Sequence, residues 1–316
     1  MAVTSDAFVA ADLAGFIPEQ WPGMIAEEMF AKAVAARFFT DLSYAVAGGG
    51  DIIHVPDVFT NAFTAQTQLT QGAEITTAGP AQVDTTLTVN THNYVAYIIG
   101  DKDMAQLSRN YDFNTVYTRK SAGVLRNALE DAIFGLWSGL STSTIGDTAT
   151  VLSDAEIRTG VESLEALNFD TLDGDTAFFF HPYTWFIQLG AVTKYYDQSQ
   201  RGPLSQAGFT QTGYMGNGSI PTGLKGQLYG IPAYVSSRVV SGLLTYRNLL
   251  ANRKAFGYAL ANLNGQNMEE GRVRAQSNYE LRNLGYLTVV DFVYGVAELQ
   301  DTAAVLLNGS TAFIGS

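Results

Sequence analysis

Between Asp51 and His92 the chain contains no Lys and no Arg, and its composition turns to Thr, Val, Gln, Asn and Phe. Two β-rich arms, roughly 51 to 63 and 81 to 92, flank a turn-rich tip around Gln71, Gly72, Gly79 and Pro80. At about 3.3 Å per residue each arm reaches roughly 40 Å. An isolated two-stranded ribbon of that length has no core of its own and is marginal in water. It must lie on something, either its own domain or another molecule, and spacing leaves both readings open.

The rest of the chain can supply a core but little chemistry. It has 316 residues, 47% of them hydrophobic, enough for one large domain or two ordinary ones. Charged residues make up 15%, well under the roughly 25% of an average soluble protein, so part of the apolar surplus is available for subunit contacts. With no Cys there is no disulfide framework, thiolate metal site or thiol nucleophile. Asp6 and Asp12 stand where a signal peptide needs a basic start and an apolar run, which predicts synthesis without secretion. The most apolar stretches, 176 to 192 and 286 to 307, are interrupted by His181, Pro182 and Gln188 in one and by Asp291, Glu298 and Asp301 in the other. Neither is expected to span a bilayer.

The formal charge of -12 is unevenly spread. Residues 1 to 100 carry 2 basic and 10 acidic groups, residues 101 to 200 carry 7 and 14, and residues 201 to 316 carry 9 and 6. Duplex attachment needs clustered Lys and Arg to release counterions, and no run supplies them.

Along the chain, residues 1 to 17 are small, acidic and aperiodic. Met24, Ile25, Glu28, Met29, Lys32, Val34, Ala35 and Phe38 then recur at helical spacing up to Gly48, Gly49 and Gly50. Asp112 opens a long helix with Phe113, Val116, Tyr117, Val124, Leu125, Ala128, Leu129, Ile133, Leu136 and Trp137 on its apolar side. Arg119, Lys120, Arg126, Glu130 and Asp131 lie on the opposite side, which reads as a solvated face or, in an assembly, one that pairs with a neighbour. Ser153, Asp154, Ala155 and Glu156 form a capping box that starts a helix through Ile157, Val161, Leu164 and Leu167. Thr176 to Phe180 reads as a buried strand. Pro182 begins a helical piece with Trp185, Phe186 and Leu189 inside. Residues 195 to 227 read as an exposed loop. Leu228 to Ser236, Asn248 to Asn252, Val273 to Tyr279 and Tyr286 to Val296 read as strands, with a short helical piece near Lys254 to Leu260. The class is α+β.

Catalytic and metal signatures are missing. His54, His92 and His181 are far apart without paired zinc spacing, and no Gly-x-Ser-x-Gly elbow exists. Gly218, Gly223 and Lys225 imitate a phosphate loop, but the Lys falls one place late and Gly226 stands where Ser or Thr should hold magnesium. Gly213, Gly216 and Gly218 have the dinucleotide glycines in the wrong order. Asp101 with Asp103, and Asp170, Asp173 with Asp175, are acidic clusters. The second lacks the Glu that closes a calcium loop and is more simply a helix-to-strand turn. No cofactor is expected.

The order of these elements resembles tailed-bacteriophage major capsid proteins of the Hong Kong ninety-seven type. The pieces that carry it are Gly-Asp-Ile-Ile-His-Val-Pro at 50 to 56, Leu87 to Tyr97, Asp101 before the long helix, Leu-Tyr-Gly-Ile-Pro-Ala-Tyr-Val-Ser-Ser at 228 to 237, and Asn248 to Phe256 running strand into helix. The resemblance implies a phage major capsid fold: an N-terminal arm (1-46), an extended β-hairpin loop (47-95), a peripheral domain with a long spine helix (96-149), an axial domain (mostly 150-270), and strands returning to the peripheral domain (271-316). It implies a non-enzymatic shell subunit that forms hexamers and pentamers with many copies of itself, in the virion capsid, made in the host cell cytoplasm. The shell encloses double-stranded DNA without sequence-specific binding and without a membrane. A separate scaffolding protein and a portal are the other partners implied, and a decoration protein is allowed. Trp21, Phe59, Phe63, Leu69, Glu74, Asp84, Arg119 and Arg126 are the expected subunit-interface residues. Some relatives weld a ribbon Lys to an Asn of the adjacent subunit; this ribbon has no Lys. The alternatives are the shell of a bacterial enzyme-storing nanocompartment, which shares the fold, and a soluble acidic hydrolase.

Overall fold

The computed structural model describes residues 33–57, 83–101, 113–147, 150–191, 224–239, 245–263 and 272–310. Its strands, in chain order, are β1 (Thr40–Asp41), β2 (Ile52–Asp57), β3 (Val83–Thr88), β4 (Thr91–Gly100), β5 (Thr144–Ile145), β6 (Thr176–Phe180), β7 (Leu224–Leu228), β8 (Ile231–Val235), β9 (Thr245–Asn252), β10 (Phe256–Leu260), β11 (Arg274–Glu280), β12 (Gly285–Glu298) and β13 (Ala304–Ser310). They form a five-stranded sheet of β1, β10, β12, β11 and β4, a six-stranded sheet in the order β5-β13-β9-β6-β8-β7, and the two-stranded β2-β3 ribbon. The long helix, Phe113–Gly135, packs on β4 and β12. The capped helix, Asp154–Ala166, packs on β13.

β6 shows why two cores form. All five of its residues are buried, and successive side chains point to opposite faces. Phe178 and Phe180 join Ile157, Leu164, Trp185 and Leu189 on one side. Phe179 on the other side enters a core with Phe39, Leu129, Trp137 and Phe256 that reaches from the six-stranded sheet to the five-stranded one. Phe39 is the joint: its ring stacks on Phe179 at 5.3 Å and meets Phe256 edge-on at 5.1 Å. The capping box forms, with Glu156 N–H donating to Ser153 Oγ at 3.3 Å and Ser153 N–H to Glu156 Oε2 at 2.6 Å.

Several expectations change. The helix expected from Met24 onward contributes only Ala35–Phe38 within the described residues. It ends well before Gly48, because Thr40–Asp41 turns extended to pair in parallel with Gly257–Tyr258. The ribbon's second arm is two strands: β3 pairs with β2, whereas β4 pairs with β12 in the five-stranded sheet. Leu228 to Ser236 is not one strand. Tyr229 (φ 56) and Gly230 (φ 85) form a two-residue turn between β7 and β8, so Leu224 to Gln227 is strand rather than loop. The helical piece at Lys254 to Leu260 is the turn after β9 followed by β10, whose five residues are all buried between Thr40–Asp41 and Tyr294–Glu298. Strands buried on both faces lose the alternation that identifies them in sequence. The last strands do not share one sheet: β12 lies between β4 and β11 in the five-stranded sheet, and β13 crosses to pair with β9. Phe186 is 59% exposed and Val124 is 55% exposed, where both were expected inside.

Glu130 departs most. Expected on the solvated side of the long helix, it is only 3% exposed, because residues Ala33 to Ala36 cover that side. Its Oε1 accepts the backbone N–H of Val34 and, at 2.9 Å, that of Ala35. Burial pushes its carboxyl above the usual range, and the two amides and the nearby Arg126 offset this only in part.

Candidate functional site

The ribbon is the feature that an independent domain does not need, and its base is anchored. β2 and β3 pair over six residues each, from Ile52 opposite Thr88 to Asp57 opposite Val83. Alternation puts Ile53 and Leu87 on one face, where with Val89 they are buried against Leu42, Val46 and Ala259. The base therefore lies on its own subunit. Beneath it, Gly295 of β12 approaches so closely that an added Cβ would sit 2.2 Å from the Thr88 carbonyl oxygen. Val89 N–H then donates to the Asp51 carbonyl at 2.7 Å, closing the ribbon's foot. The other face leaves Ile52, His54, Thr86 and Thr88 exposed.

Beyond the foot, β4 alternates in the same manner. Tyr97 faces the long helix and stacks on Tyr117 at 4.9 Å. His92, Tyr94, Ala96 and Ile98 lie on the outer face, with Tyr94 68% exposed. One polar cluster interrupts this face. Asp291 of β12, 3% exposed, is held by Arg274 of β11 through Nε to Oδ1 at 3.0 Å and Nη2 to Oδ2 at 2.6 Å. His92 Nε2 lies 2.8 Å from the same Oδ2. Burial raises the Asp291 pKa, but the hydrogen bonds and charges of Arg274 and His92 outweigh it and hold the carboxyl below the usual range. Sequence reading missed this trio because its members come from three strands. The available signal was the alternation of His92, Tyr94, Ala96 and Ile98.

Of the expected interface residues, Trp21, Phe59, Phe63, Leu69 and Glu74 lie outside the described residues. Asp84 is on the exposed side of β3. Arg119 and Arg126 are both on the long helix, and Arg126 spends its guanidinium on Asn127 Oδ1, with Nη2 at 3.0 Å. His181 stacks on Tyr246 at 4.1 Å, and burial lowers its pKa. No group of three or more His, Asp or Glu is arranged to hold a metal among the described residues. The Asp170 to Asp175 cluster is used locally, as a turn should be: Asp170 Oδ1 accepts Leu172 N–H at 2.9 Å, Asp173 Oδ1 accepts Asp175 N–H at 2.7 Å, and Asp175 pairs with Arg253. Lys225 and Gly226 stand inside β7, and Gly218 and Gly223 lie outside the described residues. No helix among the described residues is long and apolar enough to cross a membrane.

No family model and no curated protein matches the chain. Solved structures do. A structure from Mycobacterium phage Che8 is similar at TM-score 0.62 and 15% identity, covering 88% of this chain and 91% of that one. The capsid of Ralstonia phage GP4 is similar at TM-score 0.59 and 12% identity, covering 92% of each chain. The capsid of an empty GTA particle is similar at TM-score 0.58 and 13% identity, covering 88% of this chain and 91% of that one. The likeness runs through nearly the whole of each chain, so the α+β fold is that of phage capsid subunits.

Proposed function

We propose that the chain is a major capsid protein that self-assembles into an icosahedral shell around a double-stranded DNA phage genome. The observation that carries this reading is the extent of the structural likeness: it covers about nine tenths of this chain and of each neighbour, more than one shared sheet could account for. The nanocompartment and hydrolase readings draw no support from these neighbours.

In this reading the five-stranded sheet and long helix form the peripheral domain and the six-stranded sheet forms most of the axial domain; of the arm expected at residues 1 to 46, residues 33 to 46 are packed into the folded body. Ribbon residues Phe59, Phe63 and Leu69, together with Trp21, dock on a neighbouring copy. Glu74 or Asp84 pairs with a neighbour's Arg119 or Arg126, each pair worth little where exposed. Repeated heterologous contacts of this kind close into rings and shells of hexamers and pentamers. A separate scaffolding protein is one of the partners in this reading. A portal, and a decoration protein where one exists, complete the partners. The site of action is the virion capsid, after synthesis in the host cytoplasm.

Electron microscopy and sedimentation of the protein, expressed alone and with its phage's other structural proteins, test the proposal. Closed shells of many copies are expected, and compact monomers under every condition would refute it.

A further inference from the structure

His181 stands where a helix is ordinarily capped by Ser, Asp or Asn. It follows β6, and residues 182 to 191 continue from it as one helical stretch. Pro182 takes the first helical position, where its missing N–H needs no acceptor. The His181 carbonyl accepts the Trp185 N–H at 3.1 Å, the first i→i+4 bond of the stretch. That leaves the Tyr183 N–H among the orphan amides of the first turn. His181 Nδ1 accepts it at 3.2 Å. This is the bond that an Asn or Asp Oδ1 makes as an N-cap, made here by an imidazole nitrogen.

An imidazole can make that bond in one protonation state only. Nδ1 must be bare, so the ring's proton sits on Nε2. A second proton lands on Nδ1 and turns the acceptor into a donor facing the Tyr183 N–H. The charge gained also stands at the positive end of the helical stretch. The ring stacks on Tyr246 of β9 at 4.1 Å, and Tyr183 lies 5.1 Å from the same tyrosine. Both facing groups are phenols, which carry no charge in acid. Arg247, next on β9, alternates to the other face of the sheet with Leu249. Among the described residues no neighbouring charge contributes, and burial alone lowers the His181 pKa.

The far end of the stretch is held by groups that do not titrate. Gln188 Nε2 donates to the Ser310 carbonyl at 2.6 Å, and its Oε1 accepts the Leu152 N–H at 3.4 Å. Between the two ends Trp185 and Leu189 are buried in the core of the six-stranded sheet. We propose that His181 is a proton-sensitive N-cap, which closes the first turn of residues 182 to 191 when neutral and opens it when protonated, while Gln188 keeps the far end docked. The inference goes beyond the shell reading and does not rest on it, since every contact lies within one chain. The lowered folded pKa gives the direction. The cap's contribution is whole above the ordinary histidine value of about 6.5 and is lost as the pH falls through the lower folded value.

Two variants of the whole chain isolate the proton. His181→Asn places an Oδ1 where Nδ1 stands and caps at every pH. His181→Phe keeps a ring on Tyr246 and caps at none. Amide exchange of the free subunit at Tyr183, corrected for the intrinsic rate and referred to the amides of β6, reads the cap directly. The parent is expected to lose about tenfold in protection at Tyr183 between about pH 7.5 and about pH 4.5. His181→Asn should stay within about twofold over that range, and His181→Phe should be low throughout. Imidazole nitrogen shifts should show a bare Nδ1 at the upper pH. A ring that carries its proton on Nδ1 there would overturn the cap. An acid loss in His181→Asn equal to the parent's would overturn the switch, as would a ring still neutral at about pH 4.5, or full parental protection after the ring has titrated. Should loss of β6 protection show that His181→Phe does not fold, the contrast between the parent and His181→Asn decides the matter by itself.

Discussion

Arg274 grips Asp291 through two guanidinium nitrogens, at 3.0 and 2.6 Å, directly across the β11-β12 register, where the two residues are Cα partners. The pair lies on the outer face of the five-stranded sheet with His92 completing it from β4. The carboxylate is enclosed and its partners favour its ionised form, so removing it leaves the half-buried Arg274 guanidinium without its acceptor.

Asp291→Ala is therefore expected to cost about 2–3 kcal/mol in denaturant unfolding at neutral pH. The folded carboxyl sits below its ordinary value. The clamp's contribution is then present above the unfolded carboxylate pKa of about 4 and is lost as the pH falls through the lower folded value. Asp291→Asn should flatten the acid limb of the stability curve relative to the parent. Parallel curves from pH 7 to pH 3 would refute the assignment.

Gly295 and Gly123 give a matched pair. At Gly295 a Cβ would lie 2.2 Å from the Thr88 oxygen and 2.9 Å from Val89 Cα, so backbone must move. Gly295→Ala should destabilise the subunit by about 1–3 kcal/mol and raise exchange at the Val89 amide. Gly123, inside the long helix, has nothing within 4 Å of its built Cβ. Gly123→Ala should stabilise by about 0.5–1 kcal/mol through helix propensity. Equal effects at the two sites would show that the ribbon foot does not bear on Gly295.

What could be read in the sequence was local. Ser153 and Glu156 carry their own partner three residues away, and Thr176 to Phe180 announces a buried strand by its aromatic run. Phe256–Leu260 does not, because its partners Thr40–Asp41 and Tyr294–Glu298 lie far along the chain and its burial on both faces erases alternation. Glu130 shows the same limit from the other side. Periodicity places a charge opposite the apolar stripe, but it cannot show that another segment covers that side. The capsid-type order of elements was legible because order and spacing survive these local errors. The contacts that would make an assembly site were legible only as residue types.

Charge pairing bears on how the proposed shell would treat a DNA genome. The C-terminal third has a surplus of basic residues, yet its arginines are largely committed: Arg238 to Asp131, Arg253 to Asp175, Arg272 to Asp41 and Arg274 to Asp291. Three of these four acids, Asp131, Asp175 and Asp41, come from residues 1 to 200, which carry 24 acidic against 9 basic groups. The free subunit should show no saturable binding to a short duplex below roughly 100 μM at physiological salt. Tight binding with a steep salt dependence, measured by fluorescence anisotropy, would overturn the picture of a container that does not grip DNA.

In the capsid reading, the ribbon's composition also bears on how the shell would be held. An isopeptide weld needs a nucleophilic amine, and Asp51 to His92 has none; Lys32 and Lys102 are the nearest lysines on either side. The described foot offers Thr, His and Asp on its exposed face, none of which forms such a bond with an amide under ordinary conditions. Cohesion of the proposed shell would then rest on burial and hydrogen bonding, as the anchoring of Ile53, Leu87 and Val89 within the subunit already does. Noncovalent contacts of that kind do not survive boiling in detergent. Mature particles treated so should run as a single band near 34.0 kDa. A ladder of covalent multimers would show that a lysine outside the ribbon, or another bonding chemistry, joins the subunits.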